Sequence, residues 1–599
     1  MGTVIESCKA MCRNDSNDED SDEGEEKPLA PIEYSRYVTP ALRTNIDFPV
    51  KLKNLFKEHY TNPWNVYKEL ATLGEGSFGV VKKVCLKNHE EMIRAMKIIP
   101  KEVVKEEEEG KKLIDEIGIL KNLEHPNIMK IYECFEDEEN VYIVSEFCDE
   151  GDLLSKMEKV KSLNEIIVKF LMGQIFDAIA YLHANRVFHG DIKLENVMLY
   201  KASHRKGRGF TRINMDLKKD KNLQKDIEKS FNQKTFKTKK SFNYIIDMND
   251  YVVKLIDFGC CKYLYKKKDT QLTGIVGTSI YCSPEVIDDL YDEKSDEWSC
   301  GVLMYILLCG RPPFEGDDEA EIFAKIKKGK FSFDRPEFNN VSTNCKNLIK
   351  RLLETNPKKR IKASEALHHE FFKEDYNPSA MNQDVNKEDI KKLLKMEKLP
   401  TKFHELIEAY LCFNFISKEE SNNLTKLFRY LDHKEKNRLI RSDFEKAFKD
   451  NNIEYTEEDI DRIIEASDSD GNNSIEYQEF LRAMCNKEAL HSDENLKSVF
   501  DAIDEEHKGF ISVDDIKNFI FKKKEIDENI FIDYLNRIGM DLHSKIKFND
   551  FVDIIREKKL ASFIKTKYDI KLSKIKEAEE EEKNKEDDIQ VEEEKNNEE

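Results

Sequence analysis

Residues 189–196 read His189-Gly190-Asp191-Ile192-Lys193-Leu194-Glu195-Asn196, and Asp257-Phe258-Gly259 follows downstream. Together they supply an Asp able to act as a base, a Lys, and two side chains able to hold a metal, Asn196 and Asp257, on two loops. Phosphoryl transfer from a nucleotide needs that set. Either tripeptide alone could be an accident of an ordinary loop, but further pieces stand in the right order. Gly74-Glu75-Gly76-Ser77-Phe78-Gly79-Val80 fits a glycine-rich turn between two apolar strands, flanked by Leu70, Leu73, Val81 and Val84. Glycines there let backbone N–H groups come close to phosphates; by itself G-x-G-x-x-G also marks dinucleotide folds. Ala95-Met96-Lys97 lies in an apolar strand ending Ile98-Ile99, and the helical stretch of about 111–123 offers Glu116 as an ion-pair partner for Lys97.

A second chemistry is written at 468–479, Asp468-Ser469-Asp470-Gly471-Asn472-Asn473-Ser474-Ile475-Glu476-Tyr477-Gln478-Glu479. Oxygen ligands fall at positions 1, 3, 5, 9 and 12 of an EF-hand loop (Asp468, Asp470, Asn472, Glu476, Glu479), and the Ser474 carbonyl supplies position 7. Position 6 carries Asn473 where Gly is expected; Asn tolerates the left-handed conformation, so a modest loss of affinity is expected. Three weaker loops recur at suitable spacing. Asp432 to Asp443 puts Lys434 and Lys436 where oxygens belong and reads as silent. Asp504 to Asp515 keeps Asp504, Glu506, Gly509 and Ile511 but has Lys508 at position 5 and the short Asp515 at position 12, so weak or no binding is expected. The fourth, about 539–550, lacks an acid at position 1 and reads as structural. Apolar loop centres (Leu439, Ile475, Ile511, Ile546) argue against a plain helical domain with accidental acids.

The first set of motifs resembles the eukaryotic protein kinase domain over roughly 67–372, with Ser283-Pro284-Glu285 in the place of A-P-E. The whole chain resembles the calcium-dependent protein kinases of plants and apicomplexan parasites. That resemblance implies an α+β bilobal kinase domain followed by an all-α, calmodulin-like EF-hand domain, and ATP, Mg2+ and Ca2+ as cofactors. It implies that Lys97 holds nucleotide phosphates and pairs with Glu116, that Asp191 accepts the substrate proton, and that Lys193 neutralises the transferring phosphoryl. Asn196 and Asp257 would hold Mg2+. Glu285 would pair with Arg360, and Asp296 would brace the catalytic loop. Residues 141–148 would run into the hinge, with Ser145 as a small gatekeeper before Glu146 and Asp152 near the ribose and a substrate Arg. Two departures stand out. Gly190 replaces the Arg that meets an activation-loop phosphate, so the loop of about 260–282 has less need of phosphorylation; Leu194 replaces a Pro.

The resemblance further implies a junction, about 385–415, that blocks the active site until Ca2+ binds. Asp389 to Met396 is basic and amphipathic, and Phe403, Leu406, Ile407, Tyr410 and Leu411 continue at helical spacing, a calmodulin-target shape. A core helix of the EF-hand domain is the blander reading. Domain limits follow: an extension over 1–60; the kinase over 67–372 with a basic insertion at about 201–248; the junction; EF-hands at about 420–455, 456–487, 492–525 and 526–556; and an acidic tail over 572–599. The insertion follows from spacing, since Asn196 to Asp257 is 61 residues (257 − 196) where a hairpin turn suffices. From 201 to 240 it holds 14 Lys and Arg against four Asp and Glu, which reads as disordered, as do 14–27.

Composition sets outer limits. A chain of 599 residues holds several domains. Net charge -21 argues against nucleic-acid binding. No apolar run approaches about 18 residues, so no transmembrane helix is expected. The N-terminus lacks an apolar signal segment and the 13 Cys are scattered, so a reducing cytoplasmic location is expected. Gly2 and Cys8 could be acylated, but Glu6 stands where that pattern wants Ser or Thr; an untethered tail is the simpler reading. The expected partners are protein substrates bearing Ser or Thr, basic in character, with the junction meeting the EF-hand domain inside a monomer. The competing reading is a calcium-responsive scaffold with a weak or inactive kinase domain.

Overall fold

A computed structural model describes residues 56–76, 79–104, 107–201, 251–264, 278–373, 385, 387–399, 402–432, 437–469, 471–521 and 544–556. The N-terminal extension before 56, Ser77 and Phe78, the insertion from 202 to 250, most of the activation loop, Asp470, the start of the fourth EF-hand and the tail lie outside those residues. The described residues of 51–398 and 416–485 form one compact unit, and those of 399–415 and 486–599 another.

In the first unit a six-stranded sheet runs in the order β1-β5-β6-β4-β3-β2, with β1 (Lys57–His59), β2 (Tyr67–Gly76), β3 (Gly79–Leu86), β4 (His89–Pro100), β5 (Ile131–Glu136) and β6 (Asn140–Glu146). The register stacks the chemistry: Gly74 pairs with Val81, Val81 with Lys97, and Lys97 with Ile143. Gly79 has φ +141°, and a Cβ there would lie 1.9 Å from the Ile98 carbonyl oxygen, so only glycine closes this hairpin. The helical lobe that follows is centred on Glu165–Ala184 and Lys294–Cys309. Contrary to the expectation from composition, Glu165–Ala184 is long and apolar enough to cross a membrane; 67% of the relevant stretch is buried, and its residues belong to the lobe's apolar cluster. The helix is apolar nearly all round because it is a core helix. Strands Val197–Lys201 and Tyr251–Leu255 pair antiparallel and end on Lys201 opposite Tyr251, which places the insertion where its spacing predicts.

Residues 418–485 add two helix–loop–helix elements joined by a short ladder, Leu439 opposite Ile475. In the second unit Ile511 pairs with Ile546 in the same way. The loop centres read from the sequence are therefore the residues that pair. The junction is corrected. Helix ends at Lys395, and a second helix begins only at Lys402; Pro400, between them, has no N–H to give a continuing helix. Ile390, Leu393 and Met396 are buried, with Arg462 donating to the Leu394 carbonyl at 2.9 Å and Lys387 to that of Asn452 at 2.8 Å. In Lys402–Phe415, Phe403, Leu406, Ile407 and Leu411 are buried; His404 bonds the Ile554 carbonyl, and Glu408 pairs with His491. The blander reading of a core helix therefore holds for this second half, while amphipathicity holds for both.

Candidate functional site

The loop from His189 to Asn196 is fixed from below. The Asp296 carboxylate accepts from the backbone N–H of His189 and of Gly190, each at 3.0 Å, as expected for the bracing Asp. Gly190 has φ +83°, and a Cβ there would meet a Phe188 ring carbon at 2.8 Å and the Cys260 carbonyl oxygen at 3.0 Å. The glycine therefore suits both the left-handed backbone and the tight space at this position. Asp191 is buried, and its carboxylate takes Lys193 Nζ at 2.7 Å and Asn196 Nδ2 at 2.9 Å. Lys193 also donates to Thr278 Oγ1 at 3.1 Å. Burial opposes charge on Lys193, but the Asp191 carboxylate outweighs it and the Lys193 pKa rises. Asn196 spends its amide nitrogen on Asp191, leaving its carbonyl oxygen as the end able to ligate a hard cation.

Asp257 sits at φ +62°, held by the buried Phe258 after it, whose ring lies 4.9 Å from that of His189. Lys97 reaches Glu116 at 3.8 Å. Burial pushes the Glu116 carboxyl up, with Lys97 opposing and Asp257 adding to the rise. Leu73, Gly74, Glu75, Gly76, Val80 and Val81 fall on the hairpin above Lys97, and Ser145 faces Ala95 across the sheet. Glu146 turns its carboxylate to the buried Lys254 at 2.7 Å. Asp152 also has a structural role. It caps the helix Leu153–Val160, one carboxylate oxygen accepting from Ser155 N and the other from Ser155 Oγ, both at 2.7 Å. A side chain so committed is a helix cap first. Glu285 and Arg360 form the expected buried pair, one bond at 2.9 Å.

Position 6 is left-handed in three of the four loops, Asn437 at φ +55°, Asn473 at +58° and Gly509 at +80°, while Ser544 in the fourth is not left-handed. Asn473 therefore does what the expected glycine would do. In 468–479 the Asp468 carboxylate accepts from the N–H groups of Gly471, Asn472 and Asn473, and Glu479 accepts from Ser469 N at 2.7 Å and Glu476 N at 2.9 Å. The residues at positions 1 and 12 thus already shape the turn that a cation requires. Asn472 Oδ1 accepts from Ser474 N. Among the described residues no group of three or more His, Cys, Asp and Glu side chains gathers as a metal site; Asp470, at position 3, lies outside them. In 504–515 the acids have a different companion. Lys508 Nζ lies 2.7 Å from Asp515 Oδ1 and 3.3 Å from Glu506, and its pKa is raised by the Asp515 bond.

Two contacts far apart in sequence went unread. Arg429, on Lys418–Leu431, donates to Asp177 at 2.7 Å and to the side chain of Asn127. Lys418 donates to the Phe147 carbonyl, in the hinge, at 2.9 Å. Asn127 is fully buried and bonds Val253 and Leu255, in the strand that leads to Asp257.

Comparison with known proteins agrees with this geometry. Residues 67–213 and 239–372 match the protein kinase domain, the gap falling inside the insertion, and 421–485 match the EF-hand domain pair. Calcium-dependent protein kinase 4 of Plasmodium berghei is 30% identical over 508 residues, 82% of this chain and 86% of the relative. Calcium-dependent protein kinase 3 of the same organism is 32% identical over 499 residues, 81% and 79% of the two chains. Calcium-dependent protein kinase 5 of Plasmodium falciparum is 32% identical over 480 residues, 77% and 75%.

Proposed function

Because the chain belongs to the calcium-dependent protein kinases, ATP- and Mg2+-using enzymes with Ca2+-binding EF-hands, we propose residue roles for Ser/Thr phosphorylation under calcium control. The carrying observation is the meeting of Lys193 and Asn196 on Asp191, on a loop braced by Asp296. Asp191 orients the acceptor hydroxyl and takes its proton on its carboxylate. Lys193, kept cationic by Asp191, faces the charge that develops during transfer. Mg2+ with ATP supplies the phosphoryl group and its charge neutralisation; the Asn196 carbonyl oxygen and Asp257 would hold the metal, and Lys97, set by Glu116, the phosphates. The scaffold reading has all of these groups against it.

Basic substrates are supported by the exposed Glu195 in the catalytic loop and by the exposed Glu319, which bonds Ser279 just after Thr278. Ca2+ is assigned to 468–479, while Lys508 answers the acids of 504–515 from within. Autoinhibition by 385–415 is supported by the apolar side chains of both junction segments, which the EF-hand elements bury and which would need another cover once released. Phosphorylation of a basic Ser peptide across a Ca2+ titration tests the reading, with Asp191→Asn as the control. Activity should rise with Ca2+ in the wild type, and Asp191→Asn should abolish transfer while nucleotide binding persists. Undiminished turnover in that variant, or a rate indifferent to Ca2+, would overturn it.

A further inference from the structure

The kinase-domain match begins at residue 67, yet the sheet of that domain has a strand from outside it. β1 pairs parallel with β5, Lys57 opposite Glu133 and His59 opposite Phe135. Phe56 is 2% exposed and enters the apolar cluster that also holds Leu113, Ile117 and Leu120, the buried face of the helix Glu107–Leu120 that carries Glu116. Glu58 pairs at 3.6 Å with the buried Lys121, the residue directly after that helix. His59 bonds Glu133 at 2.9 Å and stacks on Phe135 with ring centroids 4.4 Å apart. Burial alone would raise the Glu133 carboxyl, but His59, Arg94 and Tyr67 hold it down at about 2. Further on, Trp64 packs edge-on to Tyr142 of β6.

We propose that residues 56–64 are a positioning strap for catalysis: they seat the helix Glu107–Leu120 from its C-terminal end and thereby set Glu116 against Lys97. Three features anchor the segment, one of them at that end. Glu58 holds Lys121 at that end, Phe56 joins the apolar core that also buries Leu113, Ile117 and Leu120, and β1 occupies the edge of β5, which would otherwise offer unpaired backbone groups. The Lys97–Glu116 separation of 3.8 Å is long for a direct bond, so a small shift of the helix decides whether the pair forms. Phe56, Glu58 and His59 are positioning residues, since they touch no reacting atom.

The test uses the full chain at saturating Ca2+, with KM for ATP and kcat measured on one peptide. Phe56→Ala should lower kcat/KM for ATP about tenfold, mainly through KM, and Phe56→Leu should restore most of it. Glu58→Gln, which removes no apolar volume, should move the same parameter in the same direction if Phe56→Ala does not fold. The cycle with Glu116→Gln separates positioning from general damage: in that background Phe56→Ala should change kcat/KM little, because the pair it positions is already broken. The Ca2+ midpoint should not move, which distinguishes this outcome from a failure of calcium control. Wild-type kcat/KM in both Phe56→Ala and Glu58→Gln, or equal losses with and without Glu116→Gln, would overturn the proposal.

Discussion

Arg429→Met keeps most of the side-chain stem and removes its charge from Asp177 and Asn127. The magnitude can be worked from Asp177. Burial alone would raise its carboxyl, yet Arg429 and His125 hold it at about 2, against an ordinary value of 3.8. A drop of nearly two units is about 2.5 kcal/mol of differential interaction. His125, 3.5 Å from Asp177, takes a share, so Arg429 should contribute about 1–2 kcal/mol. The two side chains are 26% and 18% exposed, so solvent screening removes only a modest part. Because the folded pKa is lowered, this stabilisation is complete above about pH 4 and is lost as pH falls towards 2. The assay is a double-mutant cycle, Arg429→Met and Asp177→Asn singly and together, on urea unfolding of the full chain at neutral pH. Kinase activity at saturating Ca2+ should fall in Arg429→Met, since Asn127 anchors the strand that leads to Asp257. A coupling below about 0.3 kcal/mol, within the additivity of unconnected sites, would refute the claim that this ion pair ties the first EF-hand pair to the catalytic domain.

Calorimetry should find one strong Ca2+ site, weakened by Glu479→Gln, and the double change Lys508→Asp with Asp515→Glu should add a second; if no second ion binds, the Lys508 ammonium is not what silences that loop. Gly190→Ala should cost about 1–3 kcal/mol in unfolding free energy through its left-handed backbone and its clash with Phe188, and an unchanged urea midpoint would show that the loop yields instead. His183, between Asp296 at 2.9 Å and Glu297 at 3.3 Å, is raised to about 10 against the pull of burial. Its folded pKa lies above its unfolded one, so its stabilisation is full below about pH 6.5 and drains away as pH rises towards 10. Urea unfolding of His183→Gln should show a flatter pH dependence over that window; equal slopes would sink the assignment.

What could be read from the chain alone was whatever local physics writes locally. The Gly-rich turn, the order of Lys97, Asp191 and Asp257, and the apolar residue at position 8 of each loop are short-range demands, and the structure pairs or juxtaposes them as their spacing suggests. The insertion was legible because a hairpin needs few residues. What escaped was set by distant partners or by backbone angle. Arg429 and Asp177 are 252 residues apart, and no period announces them. β1 is three polar residues without alternation, made a strand by its neighbour. That Gly190 sits in a left-handed backbone was not legible, because sequence alone cannot show φ. The junction read as one helix because its apolar spacing carries across Pro400, although the proline marked the break. The capping role of Asp152 was not read because a helix cap and a binding acid are the same residue type.

The two-residue ladder between Leu439 and Ile475 bears on how the enzyme reads a signal. It joins a loop with lysines at ligand positions to the loop with a full set of oxygens, so that on the reading proposed above the pair would share a single ion. Four coupled sites can make a steep switch; one site gives a hyperbola, and moving from a tenth to nine-tenths occupancy takes about an 80-fold rise in free Ca2+. A kinase built this way would report how much calcium is present, in proportion, where one with four coupled sites would report only that a threshold has been crossed.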